Sequence, residues 1–327
     1  AFVFLTPERA FKLIKAVRHG DSDYRRLASR EARCRDELRL NRALAPGTYR
    51  RVLPLRWGKG RLRPGPGTGR IVDWLLEMER LPEHRFLDRR LAAGALGTGQ
   101  VAAVGRHLAR FYHASPRHPD AAPLLLSILE RDAAIAAHHL TRAGALPGTG
   151  LPEPGPLAEA ALDRLRRSQA ELVARAGAGL LVEGHGDLRA AHVCLTHPPV
   201  VFDRREGPPQ RRLCDVHDEV ARLGLDCEVA GAPWIRRHLR DVLNSEGFLP
   251  PSARLSEAFG VLALLTRARL AIDHLMDPRP RTPQKWPHLA RRYLQAAEAT
   301  LSAAALGRRT TGRPALSVNG IGTAHRR

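Results

Sequence analysis

Apolar residues fall into two textures along this chain. Over roughly the first eighty positions they form short runs of strand character. Phe2–Leu5 and the run 10–17 (Ala-Phe-Lys-Leu-Ile-Lys-Ala-Val) read as two strands, and Thr6-Pro7-Glu8-Arg9 between them suits a hairpin turn. From Asp23 to Leu44, the residues Leu27, Cys34, Leu38, Leu40 and Leu44 recur at roughly helical spacing, and Pro46-Gly47 stops the run. Val52–Leu55 predicts a short strand, 58–69 a Gly/Pro/Arg loop, and Arg70–Met78 a further strand. Beyond Pro82 the pattern changes to Ala/Leu periodicity, predicting helices over 84–92, 98–114, 122–143 and 156–177, with a Gly/Pro-rich loop at 144–156. Strand character returns at Leu180–Glu183 and Pro199–Asp203. Helices are then expected over 215–246, 252–276 and 286–306, followed by a polar, aperiodic tail that reads as disordered.

This order predicts an α+β chain of two lobes. The expected boundaries are 1–80 for a small sheet-plus-helix lobe, 81–306 for a larger, mainly helical lobe, and 307–327 for the tail, with a hinge near 73–82. Composition adds that the core is built mainly from Leu, Val and Ala, because aromatics make up only 5%. The net charge of +20 raises a nucleic-acid reading. Its distribution argues otherwise: Arg is spread along nearly every segment, no RNP, zinc-finger or basic-zipper pattern accompanies it, and Lys occurs only at Lys12, Lys15, Lys59 and Lys285. A general polyanion affinity at low salt is expected, but no specific nucleic-acid partner. Cys34, Cys194, Cys214 and Cys227 form no CxxC pair, which argues against structural zinc and fits a reducing cytoplasm. No run of about 18 apolar residues predicts a membrane span.

The chemistry concentrates in Glu183-Gly-His185-Gly-Asp187-Leu-Arg-Ala-Ala-His192-Val-Cys-Leu, followed by Pro199-Val-Val-Phe-Asp203. In kinase-fold enzymes a catalytic-loop Asp accepts or orients the acceptor hydroxyl proton, a residue five positions later ligates metal, and an Asp ending the next strand holds Mg²⁺ on the phosphates. Asp187, His192 and Asp203 have that spacing. His-Gly-Asp alone is weak; the tripeptide between two strands, with a strand-ending Asp at this distance, is much stronger.

The chain resembles the aminoglycoside-phosphotransferase superfamily, and within it a bacterial branch whose catalytic loop reads His-Gly-Asp-Leu-Arg-Pro-Glu-His. The resemblance runs through Val3–Thr6, Ala10–Val17, Glu37–Pro46, Met78–Pro82, Leu108–His113, Asp215–Val220 and Gly231–Trp234, nearly the whole chain to about residue 306. It implies a bilobal protein-kinase-like fold, with Asp187 and His185 in the catalytic loop and Asp203 as the principal Mg²⁺ ligand. His192 stands where most of the superfamily has a metal-ligating Asn, although imidazole suits hard Mg²⁺ poorly. Arg189 is a candidate phosphate contact or a surface residue.

In the small lobe the resemblance implies a strand lysine paired with a helix glutamate to hold the nucleotide phosphates. Lys12 and Lys15 both lie on the predicted strand, on opposite faces; Lys12 is favoured, with Glu37 as partner and Glu31 second. The family continues after the metal Asp with Cys-(Leu/Ile)-Glu-Phe, whereas Asp203 precedes Arg204-Arg205-Glu206-Gly207. Asp215, Asp218 and Glu219 at a helix start suit the helix dipole and are placed to brace the catalytic loop. His113, His138 and His139 read as helix-face residues. The first strand and phosphate-covering loop of the family have no counterpart here, so upstream residues are expected.

The function expected is transfer of the γ-phosphate of ATP or GTP, with Mg²⁺, to a hydroxyl of a small molecule. The alternatives are a nucleotide-binding pseudokinase and, on charge alone, a nucleic-acid-binding protein.

Overall fold

In the first hairpin, β1 (Phe2–Leu5) returns as β2 (Arg9–Leu13), closed where the Thr6 N–H donates to the Arg9 carbonyl at 2.8 Å. This computed structural model describes residues 1–19, 22–146, 148–276, 280 and 282–311. A two-strand hairpin, β3 (Arg18–His19) and β4 (Ser22–Asp23), leads into α1 (Leu27–Asn41). Then come β5 (Tyr49–Gly58), β6 (Arg61–Pro64) and β7 (Arg70–Glu79). The sheet is antiparallel with order β1-β2-β7-β5-β6, so the central β7 lies between β2 and β5. α1 packs against its β5–β7 portion over Ile14, Cys34, Ala45, Tyr49 and Leu76.

The expected two-lobed α+β arrangement is what the chain adopts; several boundaries moved. The second strand stops at Leu13 rather than 17 because its pairing with β7 ends there. α1 begins at Leu27 and ends at Asn41, whose side chain donates back to the Glu37 carbonyl at 2.9 Å and competes with further helix. The expected loop at 58–69 contains β6. Lys59 and Gly60, with φ of 51° and 72°, turn β5 back on itself, and dense Gly, Pro and Arg conceal the strand's alternation.

The helical lobe opens with α2 (Leu87–Ala92), α3 (Thr98–Ala114), α4 (Ala122–Gly144), α5 (Gly155–Arg167) and α6 (Gln169–Gly177). Four short strands follow: β8 (Leu181–Glu183), β9 (Val193–Cys194), β10 (Val200–Val201) and β11 (Leu213–Asp215). The lobe closes with α7 (Val216–Val229), α8 (Trp234–Ser245), α9 (Ala253–Asp273) and α10 (Lys285–Thr311). The expected helix 156–177 breaks at Ser168, and 215–246 breaks at Gly231-Ala-Pro233, where Gly231 has φ 102°. α10 runs past 306 to Thr311; the rest of the tail expectation, 312–327, lies outside the described residues.

β8 pairs with β11, and β9 with β10; the loop 184–192 joins β8 to β9 and the loop 202–212 joins β10 to β11, so both run between the two ladders. Residues 258–265 of α9 are all buried, so the helix threads the core, packed against α4, α5 and α10. A second core joins α3, α7 and α8 to the four strands. Among the described residues no helix is long and apolar enough to cross a membrane.

α7 and α8 pack closely because Gly224 has no side chain: a β-carbon there would lie 2.7 Å from the Arg236 Cα. Gly224→Ala is therefore expected to destabilise the protein by about 1–3 kcal/mol through overpacking, even though alanine is the better helix former. Denaturant unfolding checks this; an unchanged or raised midpoint would contradict it.

Candidate active site

Lys12 lies on β2, facing α1. Its Nζ donates to Glu37 Oε1 at 2.7 Å and to Asp203 Oδ1 at 3.0 Å, joining strand, helix and the loop after β10. Burial disfavours the ammonium, but Glu37 and Asp203 outweigh it and raise its pKa, so the lysine stays charged. Glu37 is fully buried, which pushes its carboxyl upward, partly offset by Lys12. Of the alternatives left open by the sequence, Glu31 instead pairs with Arg35 at 2.7 Å on the outer face of α1, and Lys15 is exposed beyond the strand, 5.0 Å from the Phe2 ring centroid.

Asp203 holds a left-handed backbone, φ 62°, which is uncommon outside glycine and concentrates at functional positions. The small lobe fixes it there. The Asp203 N–H donates to the Tyr49 hydroxyl at 3.0 Å, and the Arg204 N–H donates to Asn41 Oδ1 at 2.8 Å. Burial works against its charge, but Lys12 and His192 hold the carboxyl down at about 2.

The loop carrying Asp187 hangs on one buried carboxylate. Glu219, in the first turn of α7, accepts from the backbone N–H of His185 (2.8 Å) and Gly186 (2.7 Å), and from the Tyr112 hydroxyl (2.8 Å). The expectation that acids at this helix start brace the loop is met by Glu219. Asp215 instead caps the helix and pairs with Arg175, while Asp218 pairs with Arg222. Tyr112 was noted only as part of a matching run; a link across 107 residues leaves no local signal.

Both histidines of the motif have their ring nitrogens engaged. In His185 Nε2–H donates to the Phe202 carbonyl at 2.9 Å and Nδ1 accepts the Asp187 N–H at 3.2 Å, tying the two loops together. His185 is fully buried, so it positions the loop and does not face the cleft. In His192 Nδ1–H donates to the Asp187 carbonyl at 2.9 Å, and Nε2 accepts from Arg189 Nε at 2.9 Å. Burial, then Arg189, lower its pKa to about 4, so it is neutral at physiological pH. Its Nε2 lies 3.5 Å from Asp203 and its Nδ1 3.8 Å from Asp187, so the ring spans the gap between the two carboxylates.

The donor set decides what cation the site suits. Oε2 of Glu37 is buried without a hydrogen-bond partner, and carboxylate oxygens of Glu37, Asp203 and Glu206 lie within 4.8 Å of one another. Clustered carboxylate oxygens fit a hard divalent cation. The lone pair of His192 Nε2 is already taken by Arg189, so the expectation of a metal-ligating His192 is not supported by this geometry. Asp187 is half exposed; burial raises its pKa against the opposing pull of Arg189 and Arg267.

The two arginines that follow Asp203 diverge. Arg204 turns inward, donating to the carbonyls of Gly184 and Glu183 at 2.9 Å with its guanidinium 4.9 Å from the Phe111 ring centroid. Buried Arg212 holds the same loop through Glu183 and the carbonyls of Arg205 and Gly207. A cavity of about 650 Å³ lies against the segment joining the lobes, lined by Pro7, residues 80–84 and Arg89.

No family model matches the sequence. The chain is 27% identical over 238 residues to uncharacterized proteins of Mycobacterium bovis (Mb2027c) and Mycobacterium tuberculosis (Rv2004c), covering 71% of this chain and 45% of each relative. It thus spans about half the length of the curated relatives it matches. Among solved structures it is similar to the aminoglycoside phosphotransferase APH(3'')-Id of Streptomyces rimosus, in complex with ADP and streptomycin, at TM-score 0.44 and 17% identity over 79% of this chain and 87% of that one. It is also similar to an ethanolamine kinase of Plasmodium vivax, at TM-score 0.45 and 10% identity over 88% of this chain and 75% of that one.

Two outcomes follow from this geometry. Glu219→Gln puts an amide against donors and is expected to lower stability by about 1.5–3 kcal/mol, and by more than Tyr112→Phe, which removes a single bond; urea unfolding of both variants checks the order. Because His192 is neutral in the folded protein and titrates near 6.5 when unfolded, its contribution is intact above that pH and is lost as pH falls toward about 4. The melting temperature of wild type is expected to fall more steeply over that window than that of His192→Asn.

Proposed function

We propose that this chain is a kinase-fold phosphotransferase that moves the γ-phosphoryl group of ATP or GTP to a hydroxyl of a small molecule. The nucleotide is held between the lobe of residues 1–80 and the lobe of 81–306. The observation that carries the reading is the Lys12 ammonium shared by Glu37 of α1 and Asp203, with Asp187 one imidazole away. Such a strand lysine, helix glutamate and pair of loop aspartates are the parts that phosphoryl transfer needs, because its loose transition state is stabilised by positioning and charge.

Lys12 is the cation for the nucleotide phosphates, kept charged and oriented by Glu37. Asp187 orients the acceptor hydroxyl and takes its proton; its raised pKa favours that role. Asp203, with Glu206 and the free oxygen of Glu37 nearby, would hold a divalent cation such as Mg²⁺, which when bound neutralises phosphate charge. His185 and His192 keep the two loops in register. Arg189 contacts His192 and approaches Asp187 at 3.6 Å, so it acts beside the carboxylate.

Asp187→Asn is expected to lower the rate of Mg²⁺-dependent nucleotide consumption by about 10²–10⁴-fold, with fluorescent-nucleotide affinity preserved. Asp203→Asn should abolish both turnover and the metal dependence of binding. Lys15→Met should leave nucleotide affinity intact. Lys12→Met should weaken it, and the variant should also be less stable by about 3–5 kcal/mol because Glu37 is left unpaired; adding Glu37→Gln should restore stability but not affinity. Nucleotide binding with no turnover for any acceptor would select a pseudokinase, and wild-type turnover in Asp187→Asn would overturn the assignment.

A further inference from the structure

Resting on that reading, the surroundings of Asp187 bear on the acceptor. The carboxylate is approached by a guanidinium on each oxygen: Arg189 Nε lies 3.6 Å from Oδ2 and Arg267 NH1 lies 3.9 Å from Oδ1. Arg267 is held from behind by Asp226 at 2.6 Å, which also accepts from the Tyr293 hydroxyl and the Ala190 N–H, so its position is fixed from α7, α9 and α10. A third guanidinium comes from Arg205. Its backbone N–H donates to the His185 carbonyl at 2.9 Å, and its Cβ sits 2.9 Å from where a β-carbon on Gly186 would be, directly beside the loop of Asp187.

Arg205 differs from Arg204 and Arg212 in having no partner. Arg204 and Arg212 are spent on carbonyls and Glu183. Arg205 is exposed, and among the described residues its side chain makes no ion pair or hydrogen bond. The charged groups it senses are Arg211 and Arg269, repulsive, and Asp132 and Asp187, attractive. Asp132 is already paired with Arg131 at 3.0 Å, and Asp273 on α9 with Arg269 at 3.1 Å. Asp132 and Asp273 are therefore occupied, while Arg205 and the neighbouring Arg211 have no side-chain partner among the described residues. Of the carboxylates near Lys12, Glu37 and Asp203 pair with it and Glu206 pairs with Arg33 at 2.7 Å.

We infer that the acceptor is a hydroxyl compound bearing its own anionic group, a carboxylate or a phosphate, which Arg205 engages while Asp187 takes the proton of the hydroxyl. The acceptor oxygen forms the new bond to phosphorus, and the bond from the γ-phosphorus to the bridging oxygen breaks, leaving the nucleoside diphosphate. An ammonium on the acceptor would instead meet the positive charge of Arg189, Arg267 and Arg205 around Asp187 and be repelled. Planar guanidinium forks match carboxylate and phosphate geometry, which is why arginine suits this task.

A matched series tests the inference on the purified protein with ATP and Mg²⁺. D-Gluconate, D-glucitol and 1-amino-1-deoxy-D-glucitol carry a negative, neutral and positive end on one polyol chain. Glycerol 3-phosphate against glycerol separates phosphate from carboxylate. The expected result is a kcat/KM at least about tenfold higher for one anionic member than for its neutral counterpart, and lowest for the amine, with the anionic advantage collapsing toward unity in Arg205→Gln and partly kept in Arg205→Lys. Equal values across the series, whether all compounds react or none, or preference for the amine, would overturn it. Fluorescent ADP binding is measured in parallel: if it is retained, only the acceptor inference has failed; if it is lost as well, the phosphotransferase reading has failed with it.

Discussion

A buried ammonium group is unfavourable unless carboxylates surround it, and much of this architecture satisfies that condition for Lys12. Glu37 arrives from α1 and Asp203 from the loop after β10, so one lysine fixes strand, helix and the opposite lobe relative to each other. The same constraint works in reverse. Glu37 is fully buried and tolerable there chiefly because Lys12 faces it. Asp203 is held in a left-handed backbone by Tyr49 and Asn41, both from the small lobe. Charge and hydrogen bonds thus join the lobes here beside apolar contact, since Val200 and Phe202 pack against the small-lobe core.

On the far wall a second buried carboxylate has an equivalent task. Glu219 gathers two backbone N–H groups and a phenol, which orders the loop before Asp187 without using any side chain of that loop. His185 then links this loop to the Asp203 segment through its ring and the Phe202 carbonyl, while the His192 ring ties the loop to itself through Asp187 and Arg189. Their neutrality matters, since a protonated imidazole would lose the acceptor role that each plays toward an N–H. The helices behind, above all α9 with its buried middle, supply the rigid mass on which these hydrogen bonds depend.

Arg204 and Arg205 illustrate how one residue type serves opposite ends. Arg204 is buried and stabilised by carbonyls, Glu183 and the face of Phe111. Arg205, its immediate neighbour, is left outside next to Gly186. Among the described residues its side chain has no partner, in a chain whose net charge of +20 leaves many arginines unmatched, and what distinguishes it is its place beside the loop of Asp187.

Much was legible in the chain itself. The switch from short apolar runs to Ala/Leu periodicity near Pro82 predicts the two lobes, because strand and helix periods differ and survive in the order of residues. The spacing of Asp187, His192 and Asp203 singles out the loops that meet, since both are short connections from strand ends. The choice of Lys12 over Lys15 and Glu37 over Glu31 was only a preference in the sequence. It became definite when α1 was laid against β2, since which face of a helix meets a strand is a property of packing. Arg204 and Arg205 read alike in the sequence. Tertiary structure separated them, because burial depends on residues tens of positions away. The links from Tyr112 to Glu219 and from Arg267 to Asp226 span 107 and 41 residues, and no local pattern encodes contacts made only when the chain has closed on itself.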